Sequence, residues 1–315
     1  MGNTPTAVEY IDFVSEWRDS GNHISAHTSG STGTPKEIRL LKSDMRRSAA
    51  CAARMFGLDE SCVVASALPF SSIATKMAVV RHLVAGCRYA EIAPSNELRL
   101  PPHVDLLSVG PSQALYLLEH PELARRIKHL LVGGAPMSAQ LRQGLIRCGY
   151  DVYESYGMTE TCSNVALRHG NDDYFTANDG ISFDLDPRGC LIVRAPEYSF
   201  DGTVTNDLAE LISPEKFRWL GRFDNVINSG GIKIFPEMLE KELAAYIGVP
   251  FYIIGRPDPK WGTAVVMVVE GDDIAAEEAR KALSSFPDRV RCPKDVVAIR
   301  HFQHTSTGKV RRIMP

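Results

Sequence analysis

The sequence predicts an α/β protein in two parts: a large N-terminal α/β domain with a β-rich portion over residues 1–224, and a small C-terminal α+β domain over 225–315. Three observations predict it. From residue 5 to about 300, helix-like stretches alternate with short apolar runs, the pattern of α/β units rather than of segregated sheets and bundles. Between Gly170 and Gly202 the chain turns rich in Gly, Asp and Asn, as short antiparallel strands and turns would be. Near residue 224 the character changes. The polar run Gly221-Arg222-Phe223-Asp224-Asn225 reads as a hinge, and the segment after it holds two clear helices and three or four strands.

Helices are expected at 5–19, 43–56, 112–119, 138–148, 236–247 and 275–285. Ser43 and Ser138 stand as N-caps, because a hydroxyl oxygen there can accept from the unpaired N–H groups of a first turn. Gly57 and Gly149 sit just past helix ends, where a left-handed residue closes the last turn, and Pro236 and Gly248 bracket a further helix. Strands are expected at Ser61–Ser66, Arg88–Ile92, Val104–Val109, His129–Val132, Asp151–Glu154, Cys190–Arg194, Phe251–Gly255, Ala264–Glu270 and Val296–His301. Most of these runs are β-branched or aromatic and bounded by Gly, Pro or Asp.

With 44% hydrophobic and 23% charged residues in 315, the composition is that of a soluble globular protein with ample material for a core. The net charge of −3 gives no drive toward nucleic acid or anionic lipid. No run approaches the roughly 18 apolar residues of a membrane span, and Glu9 and Asp12 stand where a signal peptide would be basic and then apolar. A cytoplasmic protein without a membrane or nucleic-acid partner is the expectation. The seven cysteines lack close pairing and read as reduced structural thiols.

Four segments carry chemistry. In His27-Thr28-Ser29-Gly30-Ser31-Thr32-Gly33-Thr34-Pro35-Lys36, glycines let backbone N–H groups converge on an anion, hydroxyls add donors and Lys36 adds a charge for a polyphosphate. A flexible surface loop explains the same composition. In Ser155-Tyr156-Gly157-Met158-Thr159-Glu160-Thr161, directly after a strand, Tyr156 can stack on a base, Thr159 can hold a phosphate and Glu160 a hard cation such as Mg²⁺. A strand-terminating turn with an exposed Glu is the alternative. Further on, Asp207 could accept from ribose hydroxyls and Arg222 could donate to the same sugar, ahead of Ser229-Gly230-Gly231-Ile232-Lys233. The segment His304-Thr305-Ser306-Thr307-Gly308-Lys309-Val310-Arg311-Arg312 reads as a solvated basic tail or a nucleic-acid patch, and it lacks the interleaved aromatics of the latter.

Together and in this order these segments resemble the adenylate-forming superfamily of acyl-CoA synthetases, luciferases and adenylation domains. The resemblance runs from His27 to Arg312 through TSGSTGTPK, YGMTE, Thr205-Asn206-Asp207, GRFD followed by SGGIKIFPEMLE, and TSTGKVRR. Leu131-Val132-Gly133-Gly134-Ala135-Pro136 is similar to the family's glycine turn beside the acyl and adenine sites. VYESYGMTET is most similar to the o-succinylbenzoate–CoA ligase family of menaquinone synthesis. The chain departs from the pattern where Asn206 replaces a glycine, where Gln303 and His304 replace Pro-Lys/Arg, and where Leu68-Pro69-Phe70-Ser71-Ser72 lacks the usual aromatic or His.

The resemblance implies an N-terminally shortened adenylate-forming fold and a two-step ligase. A small-molecule carboxylic acid and Mg·ATP give an acyl adenylate and pyrophosphate, and coenzyme A then displaces AMP. It assigns Lys309 to the bridge between carboxylate and phosphate, Thr159 to the α-phosphate, Glu160 to Mg²⁺ and Thr28–Lys36 to the pyrophosphate. Gly133, Gly134, Ala135, Tyr156, Gly157, Asp207 and Arg222 fall to the nucleotide, Asp224 to the hinge, and Gly230 and Gly231 to the passage of pantetheine. Ser72 and Lys76 fall in the expected acid pocket, with Lys76 as partner of a second carboxylate; an amphipathic-helix lysine is the alternative. Transfer to a carrier-protein thiol and a homologue that has lost catalysis are the competing readings. No carrier sequence follows Arg312, which favours free CoA. The acid and the oligomeric state stay open.

Overall fold

A computed structural model describes residues 5–27, 36–303 and 310–315. The chain divides into two compact units: the first comprises Met1–Phe183, Val193–Thr203 and Ser213–Lys216, and the second Asp184–Ile192, Val204–Ile212 and Phe217–Pro315. The division is therefore interleaved rather than a single cut at residue 224.

The first unit opens with α1 (Pro5–Arg18), the hairpin β1 (His23–His27) and β2 (Glu37–Leu41), and α2 (Lys42–Phe56). It continues through β3 (Val63–Ser66), α3 (Ile73–Ala85), β4 (Arg88–Glu91), β5 (Val104–Val109), α4 (Pro111–Glu119), β6 (Ile127–Val132), α5 (Ala139–Arg147), β7 (Val152–Met158), β8 (Ser163–His169) and β9 (Phe175–Ala177). Its strands lie in the order β9-β8-β7-β6-β5-β3-β4. The pairs β4/β3, β3/β5, β5/β6 and β6/β7 are parallel, while β8 and β9 return antiparallel. Every residue of β3 and β5 is buried, as expected of central parallel strands covered on both faces. One face packs Leu107, Val109, Leu130, Val132 and Val152 against Ala114, Leu117, Leu141 and Leu145 of α4 and α5. The other packs Val64, Leu106 and Leu131 against Ala52 and Phe56 of α2.

Capping follows the expectations in part. Ser138 accepts from Leu141 N, and Gly57 closes α2 in the left-handed conformation. Ser43 is not a cap, because α2 begins one residue earlier at Lys42. The Lys42 ammonium reaches back to the Glu16 and Asp19 carbonyls and the Asp19 carboxylate, so it satisfies the end of α1 instead. Gly149 lies one residue beyond the Cys148 cap of α5.

Strands β10 (Ser182–Leu185), β11 (Cys190–Arg194), β12 (Thr203–Ser213) and β13 (Lys216–Arg222) neighbour one another in chain order. The second unit continues with β14 (Ile227–Ser229), β15 (Ile232–Ile234), α6 (Pro236–Leu243), β16 (Phe251–Asp258), β17 (Gly262–Glu270), α7 (Asp273–Leu283) and β18 (Asp295–Ile299). Helix α6 stops at Leu243, so Gly248 does not close it. The central strand β17 pairs antiparallel with β16 and parallel with β18, with α7 as the crossover. Its run Ala264–Val269 is wholly buried: Val265, Met267 and Val269 face α6 and α7, and Val268 packs with Tyr252 and Phe302.

The C-terminal residues are pinned to this unit. Arg312 pairs with Glu240 of α6 and donates to the Ile253 carbonyl, Tyr252 Oη donates to Ile313 O, and Arg311 N donates to Gln303 O. The Arg312 guanidinium is thus engaged within this unit. Burial pushes the Glu240 carboxyl up, and Arg312 offsets it. Arg312→Ala should therefore leave a buried charge uncompensated and cost about 3 to 5 kcal/mol. Denaturant titration checks this, and the double change Arg312→Met with Glu240→Leu should recover most of the loss.

Candidate active site

Parallel register brings the carboxyl ends of β3, β5, β6 and β7 to one sheet edge, where ligands of α/β sheets collect. Buried Gln113 joins two of these ends: its amide nitrogen donates to the Ala67 and Ser95 carbonyls, and its oxygen accepts from Gly110 N. After β6 the chain turns at Gly133-Gly134-Ala135. Gly133 N donates to Val109 O at 3.0 Å, and a Cβ on Gly133 would run into Ser155 Oγ of β7. Gly134 has φ +83°, which glycine adopts freely. Ser155 Oγ donates to Val132 O, and Glu154, paired with Arg168, accepts from Met137 N, so the glycine turn is anchored on β7 at both ends.

Tyr156, Gly157 and Met158 continue β7 rather than forming a loop, as the sequence had led us to expect, with a register shift between Tyr156 and Gly157. Gly157 lies so close to β8 that a Cβ would overlap the Ser163 carbonyl. A single 3₁₀ turn, Thr159–Thr161, then carries half-buried Thr159 and Glu160. Glu160 makes no hydrogen bond or ion pair with another described residue. Thr161 Oγ1 accepts from Met158 N at 3.1 Å and lies 2.9 Å from Ser163 O. The next two residues, Cys162 and Ser163, have φ +54° and +81°, which non-glycine residues rarely adopt. Sequence reasoning missed this turn. Burial pushes the Cys162 thiol up to about 12, so it is no nucleophile at neutral pH.

In the second unit the structure brings Asp207 and Arg222 together. Arg222 Nη1 lies 3.7 Å from Asp207 Oδ1, and its Nη2 lies 3.0 Å from Asp224 Oδ2. Trp219 Nε1 donates to Asp207 Oδ1, and Asn206 Nδ2 donates to Asp224 Oδ2 at 3.4 Å. Arg188 donates to Asn206 Oδ1 and lies 5.1 Å over the Phe223 ring. Trp219 and Arg188 carried no sequence signal, whereas Asn206 was visible as a replaced glycine. Gly230 and Gly231 form the two-residue β14–β15 turn with φ +58° and +84°, and Gly230 N donates to Trp261 O.

Thr28, Ser29, Gly30, Ser31, Thr32, Gly33 and Lys309 lie outside the described residues. The β1–β2 pairing, with His27 opposite Glu37, holds the two flanks of the first segment together, and exposed Lys36 stands at its end. Ser72 Oγ caps α3 by accepting from Ala74 N. Lys76 Nζ donates to Ser25 O at 2.7 Å and lies 5.9 Å from the Phe13 ring, while burial holds its ammonium below the ordinary lysine range. Both candidates from the expected acid pocket thus make intramolecular hydrogen bonds.

Residues 24–182 match the model of the AMP-binding enzyme family. The chain belongs to that family. It is similar to the 2-succinylbenzoate–CoA ligases of Enterococcus faecalis, 26% identical over 91% of this chain and 67% of that one, and of Listeria monocytogenes, 24% identical over 96% and 71%. It spans about two thirds of the length of these curated relatives. Among solved structures, an acyl-CoA synthetase (AMP-forming)/AMP-acid ligase II-like protein from Dyadobacter fermentans is 29% identical, with 98% of this chain and 93% of that chain covered at TM-score 0.64. The fold is also that of o-succinylbenzoate coenzyme A synthetase from Bacillus subtilis, solved with ATP and magnesium ion: TM-score 0.78, 21% identity, covering 91% of this chain and 68% of that one.

Because Gly157 tolerates no side chain against the Ser163 carbonyl, Gly157→Ala should force β7 from β8 and cost about 3 kcal/mol. A denaturant midpoint unchanged from the parent would contradict the close approach.

Proposed function

We propose that the chain is an AMP-forming acid–CoA ligase that activates a small-molecule carboxylic acid with Mg·ATP and transfers the acyl group to coenzyme A, with o-succinylbenzoate as the acid. The observation that carries the reading is the meeting of Gly133–Ala135 and Tyr156–Glu160 at one sheet edge, inside the segment that matches the AMP-binding family. Relatives named 2-succinylbenzoate–CoA ligase support the choice of acid.

Attack of a carboxylate on a phosphorus that already bears negative charge calls for positioning and electrostatic stabilisation more than for an acid or base. Tyr156 offers a ring face to the base. The side-chain-free Gly133-Gly134 turn lets the nucleotide approach the backbone, and Asp207 and Arg222 supply an acceptor and a donor for the ribose. Thr159 donates to the α-phosphate, the Thr28–Lys36 segment holds the leaving pyrophosphate, and Lys309 bridges carboxylate and phosphate. Glu160 fits a magnesium ion: it is a half-buried carboxylate without a partner among the described residues, and no group of three His, Cys, Asp or Glu among them forms a cage of its own. Such a donor set suits an ion that completes its shell with phosphate oxygens and water. The ion, when bound, neutralises charge on those oxygens. In the second step Gly230 and Gly231 leave room for a pantetheine arm, with Asp224 as the hinge between the two half-reactions.

Acid-dependent ATP/pyrophosphate exchange tests the first step and consumption of free CoA the second. No exchange with any carboxylic acid would reject the ligase reading, and exchange without CoA consumption would favour a carrier-protein acceptor. Lys309→Ala should lower adenylation by roughly 10² to 10³, the effect of losing one preorganised donor, while thioester formation from a supplied acyl adenylate survives. Equal loss in both steps would refute that division of labour. Asp224→Pro fixes φ, so it should impair one half-reaction far more than the other in separate single-turnover assays; equal rates for both would move the hinge elsewhere.

A further inference from the structure

Arg81 on α3 is 1% exposed and leads the largest fully buried side chains among the described residues. Its Nη2 donates to Asn164 Oδ1 at 3.0 Å, and among the described residues its buried Nε has no hydrogen-bond partner and no carboxylate pairs with it. Burial lowers the guanidinium to about 10, so it is charged at neutral pH. An uncompensated interior charge is costly, and an apolar residue of like volume would fold more easily. At 1% exposure it cannot touch substrate. Whatever Arg81 does, it does through Asn164.

Asn164 stands at a sensitive place. It pairs with Gly157 across β7 and β8, and it directly follows Cys162 and Ser163, the two non-glycine residues with positive φ. Such conformations persist only where surrounding contacts over-determine them. Here Ser48 Oγ donates to Cys162 O, Thr161 Oγ1 engages Met158 N and Ser163 O, and Asn178 Nδ2 donates to Asn164 O at 2.9 Å. The Arg81 contact holds the Asn164 side chain from the opposite helix. Thr159 and Glu160 sit at the other end of this turn, with Cys162 N donating to Thr159 O at 3.1 Å.

We infer that Arg81 is a positioning residue: through Asn164 it holds the Cys162–Ser163 turn in its left-handed conformation and so fixes Thr159 and Glu160 at the sheet edge. What the fixed carboxylate serves rests on the ligase reading above; that Arg81 fixes it does not.

Arg81→Met keeps length and removes the charge, and Asn164→Ala removes the acceptor. Two measurements are made on each variant. Hydrogen exchange by mass spectrometry follows peptides covering 157–164, with the β6 strand 127–132 as reference. Calorimetry gives ATP affinity with magnesium and with a chelator. We expect exchange in 157–164 to rise tenfold or more while 127–132 stays as in the parent, and the gain in ATP affinity due to magnesium to shrink about tenfold with chelated affinity unchanged. The double variant should be no worse than either single one, since both break one path. Exchange that is unchanged, or that rises equally in both segments, would overturn the inference. Should Arg81→Met fail to fold, the same exchange measurement on Asn164→Ala decides. If the parent's ATP affinity owes nothing to magnesium, the metal assignment of Glu160 falls, and the exchange result still judges Arg81.

Discussion

The parallel register of β3, β5, β6 and β7 is the constraint on which the first unit depends. Parallel pairing sends each strand's carboxyl end to the same edge and obliges the chain to return through a helix. The turns after β5, β6 and β7 then compete for little space, and the sequence answers with residues that occupy almost none. Gly110 N donates to Gln113 Oε1, Gly133 N donates to Val109 O after β5, and Gly157 admits the Ser163 carbonyl. Around them buried polar side chains, Gln113, Glu154 and Asn164, hold each turn to the next. A groove of about 620 Å³ between the end of α1 and the start of α2, lined by Trp17, Lys42 and Arg46, lies apart from these turns. Volume alone is therefore a poor guide to the chemistry of this chain.

What was legible in the sequence was whatever one residue's own chemistry announces. The run Val104–Val109 is mostly apolar with a valine at each end, and β5 has those bounds. Cys190–Arg194 is β11 for the same reason. Asp207 and Arg222 read from the sequence as an acceptor and a donor for one sugar, and the fold sets them side by side. What was not legible depends on partners far along the chain. The long strand β12 carries polar residues through its length and looks like loop until β11 and β13 are beside it. Helix α3 is apolar on most faces and lacks the stripe of a surface helix, because it is buried between α2 and the sheet. Within it the eye falls on Lys76, which bonds a nearby carbonyl, rather than on Arg81 five residues on. The one arginine of the helix, set among Val79, Val80 and Leu83, was the available signal. Only the positive φ of Cys162 and Ser163 shows what it supports.

Buried charge is handled in two contrasting ways. Glu154 and Arg168, and Glu240 and Arg312, are ion pairs in which each member offsets the desolvation of the other. Arg81 has an amide oxygen instead, so its charge is shared rather than cancelled. The pairs hold secondary structure together, one at a strand pair and one between a helix and the chain's last residues. The Arg81 guanidinium lies behind the turn in which Cys162 and Ser163 take positive φ.

The clasp of Arg312 on Glu240 and of Tyr252 on Ile313 also changes how this segment meets proteases. An endoprotease needs its substrate extended and unpaired over several residues, whereas residues 311–313 are held by contacts that reach α6 and β16. Cleavage beside Arg312 would first have to open those contacts, and it would take from Glu240 the guanidinium that offsets its burial. In any redesign of this segment the Arg312 guanidinium is therefore the group to keep.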